Sequence, residues 1–368
     1  MKNNNHHDGA GIDRKLHNPI EDRLIPLESL DLGSVRTVND LVQAMGKTAF
    51  TGRQVGEATD VLEAMARDTE CFVVMTLSGA MTVAKQSLII ADLIDRGIVN
   101  AIVSTGALMA HGLVEATGRA HFRYNPDVSD TELYEQGYNR VYDTLEPEQN
   151  LDDVEEVMSH VLESWDHSEV LCSYKLNHAI GEYLAKHAKG QRGILKSAYE
   201  NGVPVFVPAF TDSELGLDVA LNNRLRESTG RHKLRFDPFE DLEHFAATLL
   251  RQTKLGIFTI GGGVPRNWAQ QFGPFCELRH RRLGENVPLK RYHYGVRICP
   301  EPVHWGGLSG SPYSEAISWG KFVPPAEGGR FGELFVDATV GLPLVVAAVL
   351  ERLGKAKTTG KNKVGARK

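Results

Sequence analysis

Two short apolar runs, close together and each ending in small polar residues, constrain this chain more than anything else in it. Cys71–Met75 (CFVVM) leads into Thr76, Ser78 and Gly79, and Val99–Val103 (VNAIV) leads into Ser104, Thr105 and Gly106. Between them, about Thr82 to Arg96 has helical spacing and stops at Gly97. Two strand–loop–helix units so close in sequence predict a parallel sheet with crossover helices, an α/β fold. Further strands are expected at Val203–Val207, at a run closing with Phe258–Ile260, at Tyr294–Ile298 and at Leu334–Val336.

The intervening segments fit that plan. Apolar positions from Thr37 to Arg67 recur at helical spacing and predict two helices joined by Gly46–Gly52. Helices are also expected over 151–164, over 174–200 with a break near Gly190–Gly193, and over Leu342–Leu353. The acidic stretch Phe122–Asn150 reads as irregular, either a solvated loop or a cover over a site. Residues 1–34, with His6 and His7, read as a mobile arm, and 355–368, with six basic residues and no acid, as a flexible tail. Residues 35–354 then form one catalytic domain, although a length of 368 residues allows two.

Composition narrows the class of function. A net charge of −6 argues against a general nucleic-acid binder but leaves room for a polycationic small substrate. Cys71, Cys172, Cys276 and Cys299 are far apart and form no CxxC pair, so neither a disulfide framework nor a zinc site is expected. No secretory h-region and no membrane-length apolar run is present, which predicts a soluble cytoplasmic protein without membrane contact.

In open parallel sheets, ligands bind beyond the carboxyl ends of the strands. Those ends here carry Thr76 and Ser78, Ser104 to Gly106, Asp212, Gly261–Gly263, and Asp337 with Ala338. Small residues let backbone N–H groups approach phosphate, and an Asp can accept from ribose hydroxyls, so a nucleotide cofactor is one reading. Purely structural turns are the other, since no GxGxxG fingerprint occurs. A second feature is the Gly/Ser-rich loop from Gly306, which enters a short helix containing Glu315 and ends at Trp319 and Lys321. Ser311 or Ser314 is expected to cap that helix. A lysine amine is nucleophilic only when neutral, which at pH 7 requires about 4–5 kcal/mol of depression. Packing on an indole away from water acts in that direction and suits imine chemistry. On the residues alone, Lys321 is either such a nucleophile or a surface lysine serving the helix dipole.

EAISWGK at 315–321 closely resembles the active-site stretch of deoxyhypusine synthases. TVNDLVQAMGKTAFTG at 37–52, VPVFVPAFTDSELG at 203–216, IGGG at 260–263 and VDA at 336–338 followed by Pro343 agree with that family in order and spacing. The resemblance implies a Rossmann-like parallel sheet with helices on both faces, NAD as cofactor, and a homotetramer with sites shared between paired subunits. It implies aminobutyl transfer from a spermidine-like polyamine through an imine on Lys321 to an acceptor amine, a protein lysine in a true deoxyhypusine synthase. By position, Trp319 packs on the polyamine chain and Glu315 lies near one of its cationic ends. Thr76, Thr105, Asp212, Ser309, Asp337 and Ala338 fall at dinucleotide contacts, and the strand-end residues Ser78, Ser104, Gly106 and Gly262 are expected to join them in binding the cofactor.

Several positions depart from the pattern. The family's histidine after the triple glycine falls at Asn267, which cannot act as a base near pH 7. Acids that pair with polyamine ammonium groups fall at Leu217, with Asp218 beside it, and at Leu308; a glutamate falls at His111. His111 and the nearby His121 are either replacement acid–base groups or structural histidines. The departures leave open a homospermidine synthase-type enzyme with a small diamine acceptor, or a non-catalytic NAD- or polyamine-binding homologue.

Overall fold

The computed structural model describes residues 17–354. His6, His7 and the basic tail lie outside the described residues. Residues 17–31 run largely exposed along the surface, and Glu28 is tied to Lys47 by a 2.9 Å ion pair.

In chain order the elements are α1 (Val38–Gly46), α2 (Phe50–Arg67), β1 (Cys71–Leu77), α3 (Ser87–Asp95), β2 (Ala101–Ser104), α4 (Gly106–Ala116) and β3 (Phe122–Arg123). Then follow α5 (Asp130–Glu135), β4 (Tyr138–Val141), β5 (Thr144–Pro147), α6 (Glu148–Glu163), α7 (Ser173–His187), α8 (Ile194–Asn201) and β6 (Val205–Phe206). The rest comprises α9 (Glu214–Ser228), α10 (Pro238–Leu250), β7 (Lys254–Ile260), α11 (Gly263–Gln270), α12 (Phe272–Leu283), β8 (Tyr292–Ile298), α13 (Tyr313–Ile317), β9 (Arg330–Leu334) and α14 (Ala338–Leu353).

Six strands form a parallel sheet in the order β6-β2-β1-β7-β8-β9. Alternation along each strand feeds two cores. Val73, Met75 and Leu77 of β1, with Phe258 and Ile260 of β7, face a first core built with α2, α4, α7 and α14. Val74, Leu255 and Ile257 face a second core built with α10, α11, α12 and α13. The expected α/β sheet with helices on both faces is what forms. Among the described residues, no helix is long and apolar enough to cross a membrane.

Several expected boundaries move. The helix expected from Thr82 starts only at Ser87, because the preceding residues turn and Lys85 adopts φ +63°. The sixth strand is Arg330–Leu334, ending before Val336. The last helix begins at Ala338, four residues early, since Asp337 caps it and Pro343 is accommodated inside. The two helices expected before β1 form and are joined within Gly46–Gly52, by residues 47–49. Gly46 is more than a turn residue: a Cβ on Gly56 would sit 2.5 Å from the Gly46 Cα, so α1 and α2 cross in near backbone contact. The acidic stretch expected to be irregular contains α5 and an antiparallel sheet, β3-β5-β4. Its strands are short and two of them mostly exposed, so their apolar signal is weak. Helices α9 to α12 were not anticipated.

Candidate functional site

The chain leaves β1 for β2 and β6 on one side, then returns to place β7, β8 and β9 on the other. The β1–β7 seam is therefore the switch point, where a crevice opens at the carboxyl ends of such sheets. Ser78, just past β1, donates its backbone N–H to the Ile260 carbonyl at 3.1 Å. Its hydroxyl accepts from the Gly262 N–H at 2.9 Å. Gly261 sits at φ +76°, and a Cβ there would strike the Ser78 hydroxyl. A Cβ on Gly262 would lie 2.6 Å from that of Ser309. Ser78, Gly262 and Ser309, far apart in sequence, thus converge, and Gly263 opens α11 with free space around its α-carbon. Gly262→Ala is expected to displace the Ser309 turn at a cost of about 1–3 kcal/mol, read as a lower Tm together with faster amide exchange at 306–311.

The remaining strand-end residues behave differently from one another. Thr76 is buried and donates its hydroxyl to that of Thr259 at 2.9 Å, so this group is engaged within the sheet. Ser104 is likewise buried and donates to the Thr105 carbonyl. Gly106 begins α4 against Ser213, whose hydroxyl occupies the place a Cβ would take. Asp212 is exposed after β6. Asp337 accepts from the Thr339 N–H at 2.9 Å, and Ala338 is buried in the first turn behind it.

Lys321 is held from both sides. Gly320 turns the chain at φ +70°, the Lys321 N–H donates to the Ala316 carbonyl at 3.2 Å, and its carbonyl accepts from Tyr292 at the start of β8 at 3.0 Å. Its amine donates to Asn267 Oδ1 at 3.2 Å and lies 5.9 Å from the centre of the Trp319 ring. Burial lowers its pKa, the Arg266 charge lowers it further, and Glu315 opposes the shift. Trp319 is 64% exposed, an indole face open to a ligand. Helix α13 spans five residues and is capped by Pro312; neither Ser311 nor Ser314 makes the expected cap bond. Lys321 lies beyond that short helix, and its amine is turned to Asn267.

The sequence model of the deoxyhypusine synthase family matches residues 40–349. The chain belongs to the deoxyhypusine synthase family. It is 32% identical over 336 residues to "Probable deoxyhypusine synthase 2" of Methanosarcina mazei, covering 91% of this chain and 92% of that protein. It is 31% identical over 314 residues to the "Deoxyhypusine synthase-like protein" of Coxiella burnetii, covering 85% of each. A crystal structure of a "putative deoxyhypusine synthase" from Entamoeba histolytica superimposes with TM-score 0.57 at 15% identity, over 88% of this chain and 96% of that one, and shares the fold.

His111 and His121 belong to a second group, on the first-core side of the sheet. His111 on α4 contacts Glu146 of β5 at 2.5 Å, and His121 Nε2 lies 3.5 Å from the same carboxylate. Burial acts to raise the Glu146 carboxyl, but His111 and His121 outweigh it and hold it at about 2. The hydrogen bond to Glu146 raises the His111 pKa. Three ligand atoms from His111, His121 and Glu146 lie within 4.8 Å of one another, a spacing suited to a metal ion. The Lys85 ammonium, however, sits 2.8 Å from His121 Nδ1 and also binds Glu115 at 2.9 Å. An ammonium only donates, so Nδ1 accepts and the proton stays on Nε2, facing Glu146. His111, His121 and Glu146 thus form a tight buried polar trio with the Lys85 ammonium behind it. Lys321 follows α13 on the second-core side, whereas His111 is carried by α4 on the first-core side.

Asp218 is on the first-core side too, on α9. Burial pushes its carboxyl up to about 6, with Glu155 and Glu214 adding to the shift. The folded state therefore holds this proton more tightly than the unfolded chain, and stability falls as pH rises from about 4 through 6. Asp218→Asn is expected to stabilise by about 1–2 kcal/mol at pH 8, after allowance for solvent screening, and to change nothing at pH 3.5. Urea unfolding at both pH values checks this.

Sequence reasoning missed Arg266, Arg297 and Glu333. Arg297 is wholly buried and Arg266 is 5% exposed. The available signal was a charge inside an otherwise apolar strand, YGVRIC, whose neighbours Val296 and Ile298 both face a core.

Proposed function

We propose that this protein is an NAD-dependent aminobutyl transferase that carries its cargo as an imine on Lys321. The observation that carries the reading is the state of that lysine: half-buried, lowered in pKa, bonded to Asn267 and beside the open Trp319 ring. Family membership supplies the chemical class. NAD, when bound, accepts hydride from the donor amine and returns it at the end. The cradle of Ser78, Gly262 and Ser309 suits its pyrophosphate, with Asp212 and Asp337 available to ribose hydroxyls.

The residues of the chain account for the transfer. Once the polyamine's amine carbon is oxidised to an imine, the neutral Lys321 amine adds to that carbon. Addition makes that carbon tetrahedral with two nitrogens, and its collapse breaks the old C–N bond, the departing amine leaving with the proton that Lys321 releases. The lysine imine then passes its four-carbon amine to an acceptor amine by the same exchange, restoring Lys321 before reduction. Asn267 orients the lysine amine through its carbonyl oxygen, and the Trp319 face covers the methylene chain. Glu315 and Asp218 are the acids suited to polyamine cations. They lie on opposite sides of the sheet, which favours a site completed by a second subunit.

A second reading has a small diamine as acceptor, as in homospermidine synthase-type members. Leu217 and Leu308, both exposed, stand where the family carries acids, and this favours altered amine specificity.

The test is intact-mass analysis after incubation with NAD, a panel of di- and polyamines, and cyanoborohydride. An NAD-dependent adduct at Lys321 is expected, and the amine that gives it names the donor. NAD binding with no adduct from any amine would overturn the covalent route. Labelling of a protein lysine separates the first reading from the second, which yields a new small polyamine.

A further inference from the structure

Beneath the Ser309 turn lies a buried ionic group that no step above uses. Arg297 of β8 and Glu333 of β9 are direct neighbours in the sheet, both on the second-core side. An Arg297 guanidinium nitrogen lies 3.0 Å from Glu333 Oε1, which also accepts the Tyr313 N–H at 3.2 Å. Arg266 reaches in from α11 and covers the Tyr313 ring at 5.4 Å. Both arginines converge on two backbone carbonyls. The Ser309 oxygen accepts from Arg297 at 3.0 Å and Arg266 at 3.1 Å; the Ser311 oxygen accepts from each at 2.6 Å. Burial raises the Glu333 pKa and lowers that of Arg266, each resisting its own charge.

Two guanidiniums against one carboxylate leave about one positive charge unneutralised by side chains in this interior. Such a charge is costly unless it is hydrogen-bonded and serves something. Gly310 is wedged between these carbonyls, where a Cβ would lie 2.4 Å from the Glu301 and Pro302 oxygens. Leu308, just before them, is forced to φ +64°. With its carbonyls pulled inward, the turn is fixed against Gly262 and its other face is left toward the crevice.

We propose that Arg266 and Arg297 are positioning residues for the transfer reaction: together they clamp the Ser309–Ser311 turn at the dinucleotide cradle and hold net positive charge between that cradle and Lys321. The inference rests on the proposed cofactor and lysine roles. The same charge favours an anionic pyrophosphate on one side and disfavours an ammonium at Lys321 on the other, so one device serves both partners of the hydride and imine steps.

Three full-length variants test it. Arg297→Lys and Arg266→Lys keep the charge but lose the planar fork, since one ammonium cannot match two carbonyls bridged by a guanidinium. Arg266→Gln loses the charge. The lysine variants are expected to weaken NAD binding about tenfold and to speed amide exchange at residues 306–311, with the pH dependence of Lys321 unmoved. Arg266→Gln is expected to shift the Lys321 profile to higher pH, because loss of a repelling charge makes the ammonium harder to deprotonate. Lys321 is read by peptide mass after brief reductive methylation with formaldehyde at a series of pH values, which needs neither NAD nor polyamine. Folded variants with unchanged exchange at 306–311 and an unchanged Lys321 profile would overturn the proposal. Wild-type protein that binds no NAD would instead overturn the functional reading, while exchange and methylation still decide the clamp. If Arg266→Gln does not fold, Arg266→Lys and Arg297→Lys carry the exchange test, and an unchanged turn in both overturns the proposal.

Discussion

Lys321→Arg is expected to abolish the NAD-dependent adduct and to lower amine turnover by on the order of 10⁴-fold or more, the scale of losing a covalent nucleophile. Arginine preserves the charge, and a guanidinium can still face Asn267 and stack on the Trp319 indole, so little stability should be lost. It stays protonated throughout the working pH range and offers no free electron pair to an imine carbon. The lysine in its place is half-buried and beside Arg266, both of which enlarge its neutral fraction. Wild-type adduct formation should therefore rise with pH through a lysine titration that lies below the ordinary range. Intact mass, turnover and NAD affinity on the variant check the outcome: turnover and adduct lost, NAD binding kept. Turnover equal to wild type would mean that transfer bypasses this residue.

The second large effect concerns stability. Glu146 is 1% exposed and is the buried counter-charge for His111. Glu146→Ala is expected to destabilise the fold by about 3–5 kcal/mol, since removing one partner strands the other charge in the interior. The pH dependence has two limbs with opposite signs. The Glu146 carboxyl is lowered on folding from 4.5 to about 2, so its stabilisation is present above about 4.5 and is lost as pH falls through 2. The His111 pKa is raised from 6.5, so its stabilisation is full below 6.5 and is lost as pH climbs through the folded value. Both limbs report one interaction and do not add. Urea unfolding across pH 3 to 9 should show a plateau between them in the wild type, flattened in Glu146→Ala. Because Glu146 sits on β5, the variant should also expose amides of the small antiparallel sheet first.

The central sheet was legible because its strands are buried on both faces and read as apolar runs bounded by small residues. All six strand segments were placed, although β6 shrinks to Val205–Phe206 and β9 moves toward the amino terminus. The segment around Glu146 was not legible. Its strands are four residues or fewer, two of them mostly exposed, and carry few apolar residues, so neither alternation nor β-propensity stands out. Lys321, Trp319 and Glu315 were found because they share one motif within seven residues. Arg266, Arg297 and Glu333 act together only after three elements pack, and no spacing rule links them. His111 and His121 were noticed as chemistry-bearing residues. Their partner Glu146 was seen only as one acid among several, because the contact that singles it out is tertiary.

The seam between β1 and β7 has a bearing on the order in which the protein is built. Ser78 and Gly262, the two walls that meet there, are 184 residues apart along the chain. A growing polypeptide presents β1, β2 and their crossover helix long before β7 is made, so the middle of the sheet waits with one open edge. Closing it requires a long-range pairing of the kind that slows folding and leaves strand edges exposed in the meantime. The crevice therefore comes into being only when the last third of the chain arrives. Premature termination before Lys254 gives a polypeptide with half a cradle and a bare central strand, a substrate for chaperones or proteases and not a weaker enzyme.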